Sequence, residues 1–144
     1  MIWLEQLLQV AKKHNKPVVL HAVYEDADLV CDLLQKHDIT QAHFHWFKGS
    51  SATLQRMACC GYYISFTPDI LYETEIQDIA KHYPMNLVMV ETDGPWPFEG
   101  PFTNQMTHPA MTHDSASFYA KLCNVPLEQV YRQFTYNTKQ FYRL

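Results

Sequence analysis

Glycine is scarce in this chain, four residues in 144, and the four stand singly. That excludes the glycine-rich loops that cradle phosphate in nucleotide-binding folds. Also missing is any CxxC pair. Cys31, Cys59, Cys60 and Cys123 sit in helical or strand-like surroundings, and the vicinal Cys59-Cys60 is a poor disulfide candidate, so all four read as small apolar core residues in a reducing compartment. Basic charge is in deficit, eleven Lys and Arg against fifteen Asp and Glu, for a net charge of −4. A module that holds nucleic acid by charge alone carries the opposite balance, although a bound divalent ion can reverse the local sign. No cationic stretch followed by an apolar run opens the sequence, no run approaches a membrane span, and no low-complexity tract divides it. One cytoplasmic domain over residues 1–144 is the expectation.

What is present is globular: 47% hydrophobic and 14% aromatic residues, enough for a real core. Two patterns alternate along the chain. Ile2 to about His14 carries Leu4, Leu7, Leu8 and Ala11 at helical spacing, and Asn15-Lys16-Pro17 ends it before the buried-strand run Val18-Val19-Leu20. Asp26 to His37 predicts a helix and Ala42 to Phe47 a strand. Ser50 or Ser51 caps a helix to Ala58, Gly61 stops it, and Tyr62 to Phe66 is strand. Leu71 to about His82 predicts a helix, Leu87 to Glu91 a strand, and two helices close the chain after a proline-rich loop, near Asp114–Cys123 and Pro126–Tyr142. Strands separated by helices pair in parallel, so the fold class is α/β: four parallel strands with intervening helices plus a terminal helix. An open sheet and half of a (β/α)8 barrel both satisfy this order, and length does not choose between them.

Parallel α/β sheets bind ligands at the carboxyl ends of their strands. In order, those ends carry His21, then His45, then Ser65 to Thr67, then Glu91 with Asp93. Two imidazoles and a carboxylate are a ligand set of the kind catalytic zinc uses. Taken singly, each has an ordinary structural explanation: His43 and His45 alternate onto one strand face and could bond a neighbouring loop, and Asp93 before Gly94-Pro95 suits a turn. Their coincidence at one end of one sheet is what carries weight. His14, His37 and His82 fall near helix C-termini, where surface cations suit the dipole, and His108 and His113 lie in or beside the long loop. No cysteine stands at a strand end and Ser65 has no nucleophile elbow around it, which argues against acyl-enzyme chemistry.

The stretches "KPVVLH" at Lys16–His21, "HWFKG" at His45–Gly49, "GYYISF" at Gly61–Phe66 and "ETDGPW" at Glu91–Trp96 resemble, in that order, the TatD family of metal-dependent hydrolases, as does the closing run from Thr107 to Tyr142. The resemblance implies the C-terminal half of an amidohydrolase-type (β/α)8 barrel, carrying one or two divalent ions (Mg, Mn or Zn) and hydrolysing phosphodiester bonds of DNA or another phosphodiester or small-molecule substrate. By position it implies metal ligands at His21, His45 and Asp93, with Asp93 also the candidate base for an attacking water. Trp46 to Gly49 places the "HFH" stretch on the later strand, so His43 is not a ligand by this alignment. Glu91, two residues before Asp93, and His43 are expected to support the ligands from behind. Lys48 is a candidate phosphate contact, and Trp96 or Phe98 a candidate stacking surface for a base.

Two departures from the family pattern bear on activity. No opening His-x-His and no glutamate of the fourth strand precede Met1, so a half barrel with two raw sheet edges is expected, one that is unstable, dimerises or borrows a partner. Ala22-Val23 follow His21, where many family members carry Ser-Arg. The alternative reading is therefore a catalytically incomplete half barrel that forms a homodimer through its exposed edges or complements a partner. A non-haem iron site from the same two-His-one-carboxylate set is weaker, because the family resemblance argues against it.

Overall fold

A computed structural model describes residues 2–144 of the chain. Among these residues six α-helices and four strands follow one another: α1 (Ile2–Lys13), β1 (Val18–Leu20), α2 (Glu25–Lys36), β2 (Ala42–Phe44), α3 (Ser51–Cys59), β3 (Tyr63–Phe66), α4 (Thr74–His82), β4 (Val88–Val90), α5 (Met111–Leu122) and α6 (Leu127–Tyr142). Short 3-10 turns at Pro68–Leu71, Met85–Leu87 and Gly100–Phe102 join them. The four strands pair in parallel in chain order, β1-β2-β3-β4, with Leu20 beside Phe44, Phe44 beside Ile64 and Ile64 beside Val88.

That register puts Leu20, Ala42, Phe44, Ile64, Phe66 and Val88 on one face, where all are buried beneath the helices. The other face holds Val19, His43, Tyr63, Ser65 and Met89. In part it is closed by Phe141 near the end of α6, whose ring lies 5.5 Å from that of His43 and 5.3 Å from that of Tyr63. Arg143 anchors the same turn by donating to the Asn15 carbonyl at 2.7 Å and to the Gln41 side chain, in the segments that lead into β1 and β2. Laterally the helices follow chain order. Glu5 of α1 meets Lys36 at the end of α2, Arg56 of α3 meets Asp32 of α2, and Cys123 beyond α5 meets the Ala80 carbonyl of α4.

Several boundaries differ from expectation. Ser50 is the cap of α3, its hydroxyl accepting the Thr53 N–H at 3.2 Å. β2, however, stops at Phe44 rather than Phe47, because His45 N–H still reaches the Leu20 carbonyl at 3.0 Å but Trp46 turns left-handed, with φ of 46°. α4 starts at Thr74 rather than Leu71, since Thr67-Pro68-Asp69 first makes a separate turn, and α5 starts three residues before Asp114, which takes His113 into the helix. His37 is half-buried against Glu5 at 3.3 Å rather than a surface residue, and Cys59 is exposed rather than in the core. No helix among the described residues is long and apolar enough to cross a membrane.

Candidate metal centre

Where β1 and β2 end, His21 and His45 meet. His21 Nδ1 lies 3.1 Å from His45 Nε2, with the ring centroids 4.9 Å apart. The pairing follows from the sheet: Leu20 and Phe44 are register partners, so the next residues leave adjacent strands side by side. Behind His45, Glu91 Oε2 stands 3.7 Å from Nδ1, the ring nitrogen that faces away from His21. A carboxylate there favours the tautomer protonated at Nδ1 and leaves the Nε2 lone pair directed at His21. Two nitrogens bound to one ion at about 2.0–2.1 Å with tetrahedral angles lie roughly 3.3 Å apart, so the pair fits two positions of a cation's coordination shell.

Glu91 does more than face His45. Its Oε1 accepts the Trp46 N–H at 2.9 Å and the Ser65 hydroxyl. With its proton committed to Glu91, Ser65 Oγ accepts from His43 Nε2 at 2.7 Å and, more weakly, from the Trp46 N–H at 3.3 Å. His43 is thus a buried neutral imidazole. Burial first, and the electrostatic influence of the neighbouring His45 second, push its pKa down to about 3, and its Nδ1 finds no partner among the described residues. It supports Glu91 through Ser65 rather than reaching His21.

Asp93 is half-buried, with φ of 43°, and its carbonyl accepts the Trp96 N–H at 3.1 Å. Its carboxylate makes no hydrogen bond or ion pair with His21 or His45, and among the described residues no group of three or more His, Cys, Asp and Glu side chains is assembled that could hold an ion. The structure brings two of the three expected ligands together. Lys48, half-buried, gives its carbonyl to the Tyr24 N–H, and its charge bears on Asp69. The apolar groove between α5 and α6, about 330 Å³ and lined by Val90, Ala116, Tyr131 and Phe134, touches none of these residues.

Set beside known proteins, the sequence model of the family described as TatD related DNase matches residues 2–143. The chain belongs to the TatD-related DNase family. A Haemophilus influenzae relative, an uncharacterized metal-dependent hydrolase, is 40% identical over 141 residues, which is 98% of this chain and 55% of that relative. A human relative named deoxyribonuclease TATDN3 is 26% identical over 94% of this chain and 48% of its own length. The crystal structure of YjjV, a TatD homologue of Escherichia coli K12, superposes with a TM-score of 0.86 at 24% identity, over 95% of this chain and 54% of that one. The chain spans about half the length of the TatD relatives it matches. Its four strands and their helices have the fold of the matching half of a TatD barrel.

Two members of the network are given no role by the TatD resemblance. Ser65, although within the Gly61–Phe66 stretch, is visible only as a strand-end polar residue. Asp69, buried beneath the Trp46 indole, carries no sequence signal beyond the Pro-Asp of an ordinary turn.

Proposed function

We propose that this chain carries the metal-binding half of a TatD-type hydrolase that cleaves phosphodiester bonds of DNA with one or two divalent ions, Mg, Mn or Zn. The observation that carries this reading is the 3.1 Å approach of His21 Nδ1 and His45 Nε2, backed by Glu91. His21 and His45 hold the ion, and Asp93, on the loop that leaves β4, supplies a third ligand and accepts a proton from water. A bound divalent ion would supply Lewis acidity and acidify that water toward neutrality. Glu91 keeps the His45 ring turned toward the ion, and Ser65 and His43 hold Glu91. Lys48 offers charge to a phosphate and Trp96 a surface to a base. The name of the human relative supports DNA as the substrate, and four free cysteines suit a reducing cytoplasm.

A second reading has its own support: two imidazoles with no third ligand assembled beside them among the described residues, on a sheet with two unpaired edges, suit a half barrel that completes its site only with further strands. Isothermal titration of the purified chain with Mn²⁺ and Zn²⁺, beside His21→Ala and His45→Ala, tests the first reading. Wild type should bind one ion and each variant should lose it. Equal, negligible binding by all three would remove the metal-centre assignment for the chain alone. Cleavage of a labelled oligonucleotide by the ion-loaded chain then tests the substrate, and ion binding without cleavage is what the half-barrel reading expects.

A further inference from the structure

The residue after His45 is fastened unusually hard. Trp46 sits in the left-handed region, rare and costly for a bulky side chain, and its main-chain N–H is held there by Glu91 and Ser65. Its indole is fixed separately: Nε1–H donates to Asp69 Oδ2 at 2.5 Å, while Asp69 Oδ1 accepts the Thr67 hydroxyl. Asp69 is 2% exposed, and its carboxylate is bound by these two neutral donors rather than by a cation. A buried carboxylate whose hydrogen bonds come only from neutral donors, with no cation among the described residues closer than the unbonded Lys48, is expensive to keep, and a neutral side chain would serve packing better.

The indole it holds is the centre of an aromatic wall. Trp96 lies edge-on at 5.0 Å and Phe98 at 6.2 Å, and Phe98 is buried while Trp96 stays 50% exposed. Trp96 is itself tied down at both backbone groups, its N–H to the Asp93 carbonyl and its carbonyl to the Thr107 hydroxyl. Trp46 thereby links the ends of β2, β3 and β4 beside the histidine pair. An anchored ring with one neighbour open to solvent is the arrangement used to stack a flat heterocycle, where little entropy remains to be lost on binding.

We propose that Asp69 is a positioning residue which, through the Trp46 indole, sets an aromatic wall that takes a nucleobase of the substrate. This rests on the DNA reading above, and it assigns a role to Asp69, which lies outside the family motifs, and to Trp46, which the resemblance left without one. Fluorescence titration of the chain with a short single-stranded oligothymidylate reads the wall, and Mn²⁺ titration of the same samples reads the histidine pair. Asp69→Leu should weaken oligonucleotide binding about tenfold, and so should Trp96→Ala. The double variant should be no weaker than Trp96→Ala alone, because both act through one wall. Asp69→Asn, whose amide oxygen still accepts the indole N–H, should stay within about twofold of wild type. None of these changes should alter Mn²⁺ affinity.

Should Asp69→Leu fail to fold, Trp46→Phe replaces it, keeping a ring and losing the N–H, with the same expected loss. Oligonucleotide binding unchanged by Asp69→Leu or Trp46→Phe, an equal loss in Asp69→Asn, or no binding by wild type would overturn the proposal. A wild type that binds oligonucleotide but no Mn²⁺ fails the metal reading and leaves the wall intact.

Discussion

Glu91 divides its two oxygens between different tasks. Oε1 holds the Trp46 backbone and the Ser65 hydroxyl, while Oε2 faces His45. Glu91→Gln preserves an acceptor and removes the charge that orients the imidazole, so ion affinity should fall by about 10–100-fold with little change in fold. Mn²⁺ titration checks this, and unchanged affinity would mean that the carboxylate does not orient His45. At Asp69 the charge has a pH signature. Burial raises its carboxyl above the ordinary range, against the pull of its bonds to Thr67 and Trp46. A raised folded-state pKa favours folding while the group is protonated, below its unfolded value of about 4, and that contribution is lost as pH rises through the folded value. The amide introduced by Asp69→Asn does not titrate. The stability of this variant relative to wild type should therefore increase as pH rises from below about 4 to neutrality. Urea midpoints measured at both ends check it; an equal difference at both pH values would contradict the raised carboxyl.

Among the elements, the contact between α6 and β4 turns on one side chain. Asn137 is fully buried and donates to the Met85 carbonyl at 2.8 Å and the Val88 carbonyl at 2.6 Å. Asn137→Ala leaves both carbonyls short of a donor and should cost about 1–3 kcal/mol, seen as a lower urea midpoint at unchanged slope; a loss under about 0.5 kcal/mol would show that other donors replace it. Nothing in "FTYNTKQF" reveals this, because the partners are some fifty residues away in sequence. The same reason limits what β2 discloses. "AHFHWF" alternates like a six-residue strand, yet the strand ends at Phe44 because Trp46 gives its N–H to a carboxylate 45 positions on. Val18–Leu20 was legible, and Tyr62–Phe66 to within one residue, since their apolar runs are bounded by local breakers; Tyr62 falls outside β3 and gives its carbonyl to the distant Tyr83 hydroxyl. The pairing of His21 with His45 was legible for a related reason: ends of neighbouring parallel strands must adjoin, whatever lies between. Asp93, on a loop whose course depends on the packing of Trp96 and Phe98, was legible as a candidate but not as a neighbour of either histidine.

For the molecule as a whole, the two outer strands decide the behaviour. Val18 N–H donates to Gln41 and Leu20 accepts from His45, so strand alternation turns the N–H and C=O of Val19 away from β2, toward an edge where its side chain is 49% exposed. Glu91 N–H bonds Phe66, which likewise turns the N–H of Val90 away from β3. The β4 edge already has a helix beside it: α6 fastens to β4 through Asn137. α1 is joined to the end of α2 by the Glu5–Lys36 pair and shows solvent Trp3, Leu7 and Val10. Two copies closing into an eight-stranded barrel would bring α1, which leads into β1 of one, toward α6, which holds β4 of the other. A complement that begins and ends on a strand meets no such conflict. The expected outcome is a chain that stays monomeric at micromolar concentration by light scattering, with fast hydrogen exchange at the Val19 and Val90 amides and slow exchange at Phe44 and Ile64. Mixing with the part of the Haemophilus influenzae relative that lies outside the match should yield a one-to-one complex and slow both edge amides. Protection of Val19 in the isolated chain, together with a dimer mass, would show instead that the edges pair with each other across two copies and that α1 or α6 gives way.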